Sequence, residues 1–266
     1  MELNYKLLSL FKKVTNRLGI NITRYYPEGY LCPDIEEDYQ KIINSVKPFT
    51  MTSLERIFAL CKAVEYIVSN QIPGDIVECG VWKGGSMMAV AQTLLQLQDL
   101  SKHLYLFDTF EGMTEPSGND LDFWGVAASE QLKNSTKESG DSIWCYSCLE
   151  EVKASVHSVG YNRDRIHFIK GKVEDTIPQN APAQISLLRL DTDWYESTHH
   201  ELIHLFPRIA AGGVIIIDDY GYWQGARKAV DEYIQEHKIP ILLNRIDFTG
   251  RIGIVTKSMF PEPLID

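Results

Sequence analysis

From residue 75 onward, short apolar runs alternate with amphipathic stretches. The runs Asp75–Val81, His103–Phe110, Arg165–Lys170, Ile185–Leu190 and Gly213–Ile217 are near-continuously hydrophobic, the pattern of strands buried on both faces. Between most of them lie stretches with helical spacing, at Ser86–Leu97, Cys148–Ser158, Ser197–Phe206 and Gly225–His237. This alternation predicts an α/β fold with a mainly parallel sheet covered by helices on both sides. Two closing runs, Ile241–Ile246 and Arg251–Thr256, are joined by Asp247-Phe-Thr-Gly250. A link that short suits a hairpin, so the last strand is expected to be antiparallel.

Ahead of the alternating region, Ser53 to Ser69 reads as a helix, with Ser53 as its cap and Glu55 in its first turn. Residues 1 to about 20 read as an amphipathic helix, with Leu3, Leu7, Leu8, Leu10, Phe11, Val14 and Leu18 at roughly helical spacing. It is expected to pack or to make a subunit contact, with a membrane-surface role as the alternative. This gives an N-terminal helical extension over 1–48 and a catalytic-type domain over 49–266. Within that domain the polar segment of about 112–145, rich in Gly, Ser and Asp, is expected to act as a lid.

Composition narrows the functional class. The chain has 266 residues, 44% of them hydrophobic, and a net charge of -10. That acidity argues against nucleic acid as a partner. No apolar run is long enough to span a bilayer, and Met1 to Ile20 lacks the continuous core of a signal peptide. Five cysteines, Cys32, Cys61, Cys79, Cys145 and Cys148, are an odd number. They fit a reducing compartment, so a cytoplasmic protein is expected. Cys145-Tyr-Ser-Cys148 has redox or zinc spacing, but no second Cys/His pair completes a site.

The candidate chemistry lies where the strands end. Leu188-Arg-Leu-Asp191-Thr-Asp193 and Gly212-Gly-Val-Ile-Ile-Ile-Asp218-Asp219 are apolar runs that finish in paired carboxylates. On neighbouring parallel strands these four acids would converge at one sheet edge. Two carboxylates ~4 Å apart repel by ~4 kcal/mol at an effective dielectric of ~20. Such a gathering points to a divalent cation, with a candidate base beside it. Asp191 or Asp193 capping the following helix, and Asp218-Asp219 as a solvated strand end, are the structural alternatives. Strand one leads into Glu78-Cys-Gly80-Val-Trp-Lys-Gly84-Gly85-Ser86, a glycine turn that lets a ligand approach the backbone. The next strand ends in Asp108, placed to accept hydrogen bonds from a ribose. The spacing is not Gly-x-Gly-x-x-Gly, so the pair signals a nucleoside-bearing cofactor rather than a dinucleotide. Trp194, Tyr195, Tyr220, Tyr222 and Trp223 could stack on an acceptor or simply pack. His199 and His200 read as surface or supporting residues, with a substrate contact as the alternative, and Lys83 as solvated.

Five segments in order, Glu78–Ser86, Phe107–Gly112, Gly171–Thr176, Leu190–Thr198 and Gly212–Tyr220, resemble the macrocin O-methyltransferase family. The resemblance runs from about Thr50 to about Lys257. It implies a class I (Rossmann-like) methyltransferase fold with a seven-stranded, mostly parallel sheet. It also implies dependence on S-adenosylmethionine and Mg2+ and action on a sugar or glycosylated small molecule in natural-product biosynthesis. By that resemblance Glu78, Gly80, Gly84, Gly85 and Ser86 border the methionine part of the cofactor, and Met51 and Thr52 close over its carboxylate. Asp108 holds the ribose, with Thr109 and Phe110 beside it, and Gly171, Val173 and Glu174 flank the adenine. Asp191, Asp218 and Asp219 match the metal ligands, with Asp191 also adjoining the cofactor, and Asp193 matches the general base. The N-terminal stretch falls outside the match, and its helix points to a homo-oligomer. A catechol-type O-methyltransferase, a metal-dependent hydrolase and a non-catalytic nucleoside-binding protein are the competing readings.

Overall fold

The structure, a computed structural model, describes Thr15, residues 34–136 and residues 142–256. The helix expected over residues 1–20 lies outside the described residues apart from Thr15. Met1–Ile35 and Glu36–Asp266 form separate compact units, and every residue discussed below belongs to the second.

Seven strands form one sheet: β1 Asp75–Cys79, β2 Leu104–Asp108, β3 Ile166–Lys170, β4 Ile185–Leu190, β5 Ile209–Ile217, β6 Asn244–Arg245 and β7 Arg251–Ile254. Their order is β3-β2-β1-β4-β5-β7-β6. β1 to β5 pair in parallel, and β7 runs antiparallel to both β5 and β6. The fold class therefore matches the one expected. β6 is shorter than the run that suggested it, and β5 starts earlier, with Gly212 absorbed into the strand at φ +82°.

The helices are α1 Glu37–Val46, α2 Leu54–Ser69, α3 Gly85–Gln96, α4 Ala128–Lys133, α5 Leu149–His157, α6 Val173–Thr176, α7 Tyr195–Leu205 and α8 Gln224–Glu236. Ser53 caps α2 as expected, its hydroxyl accepting the Arg56 N–H. α1, α4 and α6 were not legible as separate helices. Among the described residues no helix is long and apolar enough to cross a membrane.

Side chains alternate across a strand with period two, and that alternation divides the sheet's chemistry. Val77, Cys79, Phe107, Leu188, Leu190, Ile215 and Ile217 form one core with Leu202 and Leu205 of α7 and Val230 and Tyr233 of α8. Residues of opposite parity, including Glu78 and Arg189, point to the other face. Both are nearly inaccessible, at 1% and 2% exposure.

The described parts of the segment expected to be a lid, residues 112–136 and 142–145, pack onto the body. Asp120, 1% exposed, accepts the N–H and hydroxyl of Ser117 with one oxygen and the Tyr195 N–H with the other. Asp122 accepts from the Trp124 and Val126 N–H groups and from Gln131. Ala128 and Leu132 of α4 join Trp194, Trp223 and Ala226 in a small separate core.

Candidate active site

The register aligns the strand ends. Cys79 pairs with Phe107 and Leu190, and Leu190 pairs with Ile217. The next residue of each strand, Gly80, Asp108, Asp191 and Asp218, therefore stands in one row. Backbone bonds extend the ladder into that row, from Gly80 N to Phe107 O (2.9 Å), Asp191 N to Cys79 O (2.8 Å) and Asp218 N to Leu190 O (2.9 Å). In a parallel sheet this carboxyl edge is where ligands bind.

A cavity of about 220 Å³ opens along that row. Of the residues expected to touch a cofactor, Met51, Thr52, Gly80, Gly85, Ser86, Asp108, Thr109, Gly171, Val173, Glu174 and Asp191 line it. Asp193, Asp218 and Asp219 line it too. Glu78, Gly84 and Phe110 do not. Glu78 points down the sheet face to Arg189, and Phe110 is buried beside Phe168, their ring centroids 6.5 Å apart. Gly84, at φ +88°, makes the turn into α3, and a Cβ there would meet Val156 at 2.7 Å. Asp108 clasps the glycine turn: Oδ2 accepts the Val81 and Trp82 N–H groups at 2.6 and 3.1 Å, and Oδ1 accepts the Phe110 N–H at 2.6 Å. Burial pushes this carboxyl up, and the three N–H groups hold it back.

Three aspartates converge beside it. One ligand atom each from Asp191, Asp193 and Asp219 lies within 4.8 Å of the others. Asp193 sits at φ +68°, a left-handed conformation that aspartate tolerates better than most residues. The turn is braced from α7, where buried Glu201 accepts the Thr192 hydroxyl at 3.0 Å. Burial first, and then the crowding of like charges, pushes Asp191 well up; the same two effects raise Asp219. Asp193 is pushed up to about 7, mainly by burial. One oxygen of Asp219 is buried with no hydrogen-bond partner. Converging carboxylates with an orphaned oxygen fit a hard divalent cation.

Asp218 stands apart from this group. Its Oδ1 accepts from Arg189 at 2.6 Å and its Oδ2 from Arg56. The geometry thus differs from the resemblance, which placed Asp218 among the metal ligands and Asp193 outside them. Neither Asp191 nor Asp193 caps the next helix, because Asp120 takes the α7 N-terminus.

Arg56 and Arg189 were not singled out from the sequence, although an arginine inside a buried apolar strand is itself a signal. Trp194 and Trp223 are core residues rather than stacking surfaces. Tyr195 and Tyr220 donate their hydroxyls to Glu232 and Asp231. His199 stacks on Tyr195 with centroids 5.5 Å apart, and His200 lies 3.1 Å from the Ile177 carbonyl. Neither histidine lines the cavity. Cys145 does line it, whereas Cys148 precedes α5, and both are free thiols.

Known proteins resemble this chain in sequence and fold. The family model for macrocin O-methyltransferase (TylF) matches residues 43–252. The 8-demethyl-8-(2,3-dimethoxy-alpha-L-rhamnosyl)-tetracenomycin-C 4'-O-methyltransferase of Streptomyces olivaceus is 33% identical over 201 residues, covering 76% of this chain and 73% of that protein. The demethyldecarbamoylnovobiocin O-methyltransferase of Streptomyces niveus is 30% identical over 201 residues, with the same coverage of 76% and 73%. Among solved structures, the O-methyltransferase NovP superimposes with a TM-score of 0.67 at 28% identity, covering 79% of this chain and 83% of that one.

Proposed function

This chain belongs to the macrocin O-methyltransferase family, and on that premise we propose that it methylates a hydroxyl of a sugar or glycosylated small molecule, using S-adenosylmethionine and a divalent cation. The two relatives named above are O-methyltransferases whose names specify glycosylated or antibiotic acceptors, and this supports an acceptor of that class. The observation that carries the reading is the placement of a cavity lined by Gly80, Asp108 and Gly171 and of a converging carboxylate cluster on one sheet edge.

S-adenosylmethionine, when bound, supplies an electrophilic methyl on a sulfonium that an in-line oxygen displaces. Gly80, Gly85 and Ser86 would admit its methionine part, Asp108 and Thr109 its ribose, and Gly171 to Glu174 its adenine. A divalent cation, when bound, lowers the pKa of a nearby hydroxyl and fixes its direction. Asp191 and Asp219 would hold it. Asp218 would be the third ligand through the lone pairs its arginines leave, so that Asp193 is free to take the acceptor's proton. The convergence of Asp193 with Asp191 and Asp219 favours a second arrangement. In it Asp193 is the third ligand, and Asp218 serves as counter-ion to Arg56 and Arg189.

Orientation of the reacting groups can supply ~7–11 kcal/mol of the barrier reduction. The chain's contribution to that is a rigid row of strand ends braced by Glu201 and Asp120. Incubation with isotope-labelled S-adenosylmethionine and a panel of glycosides and catechols, with Mg2+ or chelator, tests the reading. Label transferred to a glycoside only with Mg2+ supports it. Transfer to catechols alone, or transfer undiminished by chelator, overturns the acceptor or the metal claim respectively.

A further inference from the structure

Arg189 is the one charged residue of β4, a buried strand with the sequence Ile-Ser-Leu-Leu-Arg-Leu. Leu188 and Leu190 on either side of it belong to the core against α7 and α8, so the arginine must point to the opposite face. There it is enclosed, at 2% exposure. Its cross-strand neighbour on β1 is Glu78. Nη1 donates to Glu78 Oε1 at 2.7 Å and to Asp191 Oδ2 at 2.6 Å. Nη2 donates to Thr52 Oγ1 at 3.1 Å and to Asp218 Oδ1 at 2.6 Å. One guanidinium therefore joins β1, the end of β4, the end of β5 and the segment before α2.

Burying an ion costs several kcal/mol even when it is paired, and an apolar replacement of a buried ion pair is often neutral or stabilising. Stability alone is a weak reason for this network. Its geometry offers a better one. The guanidinium is a planar, rigid fork, and here its two terminal nitrogens each hold one of the two strand-end aspartates. Neighbouring strands lie ~4.8 Å apart, and the fork spans β4 to β5 directly. It takes Oδ2 of Asp191 and Oδ1 of Asp218. Arg189 itself does not line the cavity, whereas Thr52, Asp191 and Asp218 do. Any influence it has on a ligand passes through them.

We propose that Arg189 is a positioning residue for methyl transfer: its fork fixes the carboxylate of Asp191 and, through Asp218, the end of β5 that carries Asp219, so that the converging carboxylates keep their places for a divalent cation, and it ties them to Glu78 and to Thr52 at the cofactor side. The inference rests on the metal reading above and adds the group that organises the ligands. A guanidinium stays protonated throughout the working pH range of proteins, so the fork is a fixed element. A lysine in its place keeps the charge but cannot reach four acceptors from two rigid nitrogens.

Calorimetric titration of the full chain with Mn2+, and separately with S-adenosylhomocysteine, tests this on the wild type, Arg189→Lys and Glu78→Gln. Outer ligand partners typically change metal affinity ~10–100-fold. Arg189→Lys is expected to weaken Mn2+ binding about tenfold or more on that scale, with S-adenosylhomocysteine binding much less affected. Glu78→Gln keeps the guanidinium but loosens its anchor on β1, and should weaken Mn2+ binding in the same direction by less. It also keeps the test alive should Arg189→Lys not fold. Unchanged Mn2+ affinity in the folded variants overturns the proposal. So does an equal fall in both affinities for Arg189→Lys, which would mark a general structural role. If the wild type itself binds no Mn2+, the metal reading fails and this inference falls with it.

Discussion

The carboxylate of Asp120 accepts the backbone N–H of Tyr195 at 2.7 Å, so the helix that follows the acidic motif is capped from a distant loop. The aspartates just ahead of that helix are thereby left available to the cavity. Asp120→Ala removes both this cap and the Ser117 contacts and should cost ~1–2 kcal/mol of unfolding free energy. Chemical denaturation measures it. Gly225→Ala attacks the same joint from the other side, since a Cβ there would lie 2.0 Å from Asp120 Oδ1. It should be at least as damaging.

Asp219 carries the orphaned buried oxygen of the cluster. Asp219→Asn is expected to lower turnover by at least ~100-fold, on the scale of losing general acid–base or electrostatic assistance. It should also weaken Mn2+ binding while leaving S-adenosylhomocysteine affinity nearly intact. Retained turnover in chelator would contradict the metal role.

Asp193→Asn and Asp218→Asn separate the two ligand arrangements. If Asp193 is the base, its variant keeps Mn2+ affinity and loses turnover, whereas Asp218→Asn loses Mn2+ affinity. If Asp193 is the third ligand, the Mn2+ losses are reversed. Parallel Mn2+ titrations and rate measurements decide between them.

Gly80 adopts φ +83°, and a Cβ there would fall 2.0 Å from the Asp191 carbonyl oxygen. Gly80→Ala must both enter the left-handed region, at ~1–2 kcal/mol, and push β1 away from β4. The expected outcome is a fall of more than ~2 kcal/mol in stability on that basis, with loss of cofactor binding, read by denaturation and calorimetry.

His103 Nδ1, just ahead of β2, and His167 Nε2 on β3 lie 2.8 Å apart, with the ring of Tyr105 beside His167 and Asp75 accepting the His103 backbone N–H. Burial, and then the proximity of His103, lowers the pKa of His167. The folded state therefore binds fewer protons than the unfolded chain. The contribution of His167 is complete above its unfolded value of ~6.5 and is lost as pH falls through the lower folded value. His157 and His204 are lowered by burial as well. Stability should decline on going from pH 7 to pH 5, and His167→Phe should flatten part of that decline. A variant with an unaltered pH profile would contradict the account.

The sheet was legible because its strands are apolar runs of β-rich composition separated by periodic helices, and the acids ending Asp191 and Asp218 marked its functional edge. What escaped the sequence has physical causes. α1 lies in a polar stretch whose apolar positions, Tyr39, Ile42, Ile43 and Val46, gain meaning only from burial. α4 and α6 are a few residues long, too short for periodicity to register. Asp120 acts on Tyr195 across 75 positions of chain, and Arg189 acts on Glu78 across 111. Long-range pairings of this kind leave no local pattern. Glu78 and Phe110 belong to recognisable motifs yet turn away from the cavity: the strand's period sends Glu78 to Arg189, and the chain bends at Phe110, φ +51°, just past the end of β2.

The central claim is that this sheet edge binds S-adenosylmethionine for methyl transfer. Calorimetric titration of the purified protein with S-adenosylhomocysteine, with Mg2+ and with chelator, tests it most directly. The account predicts saturable one-to-one binding in the micromolar range. No heat of binding under either condition would contradict it.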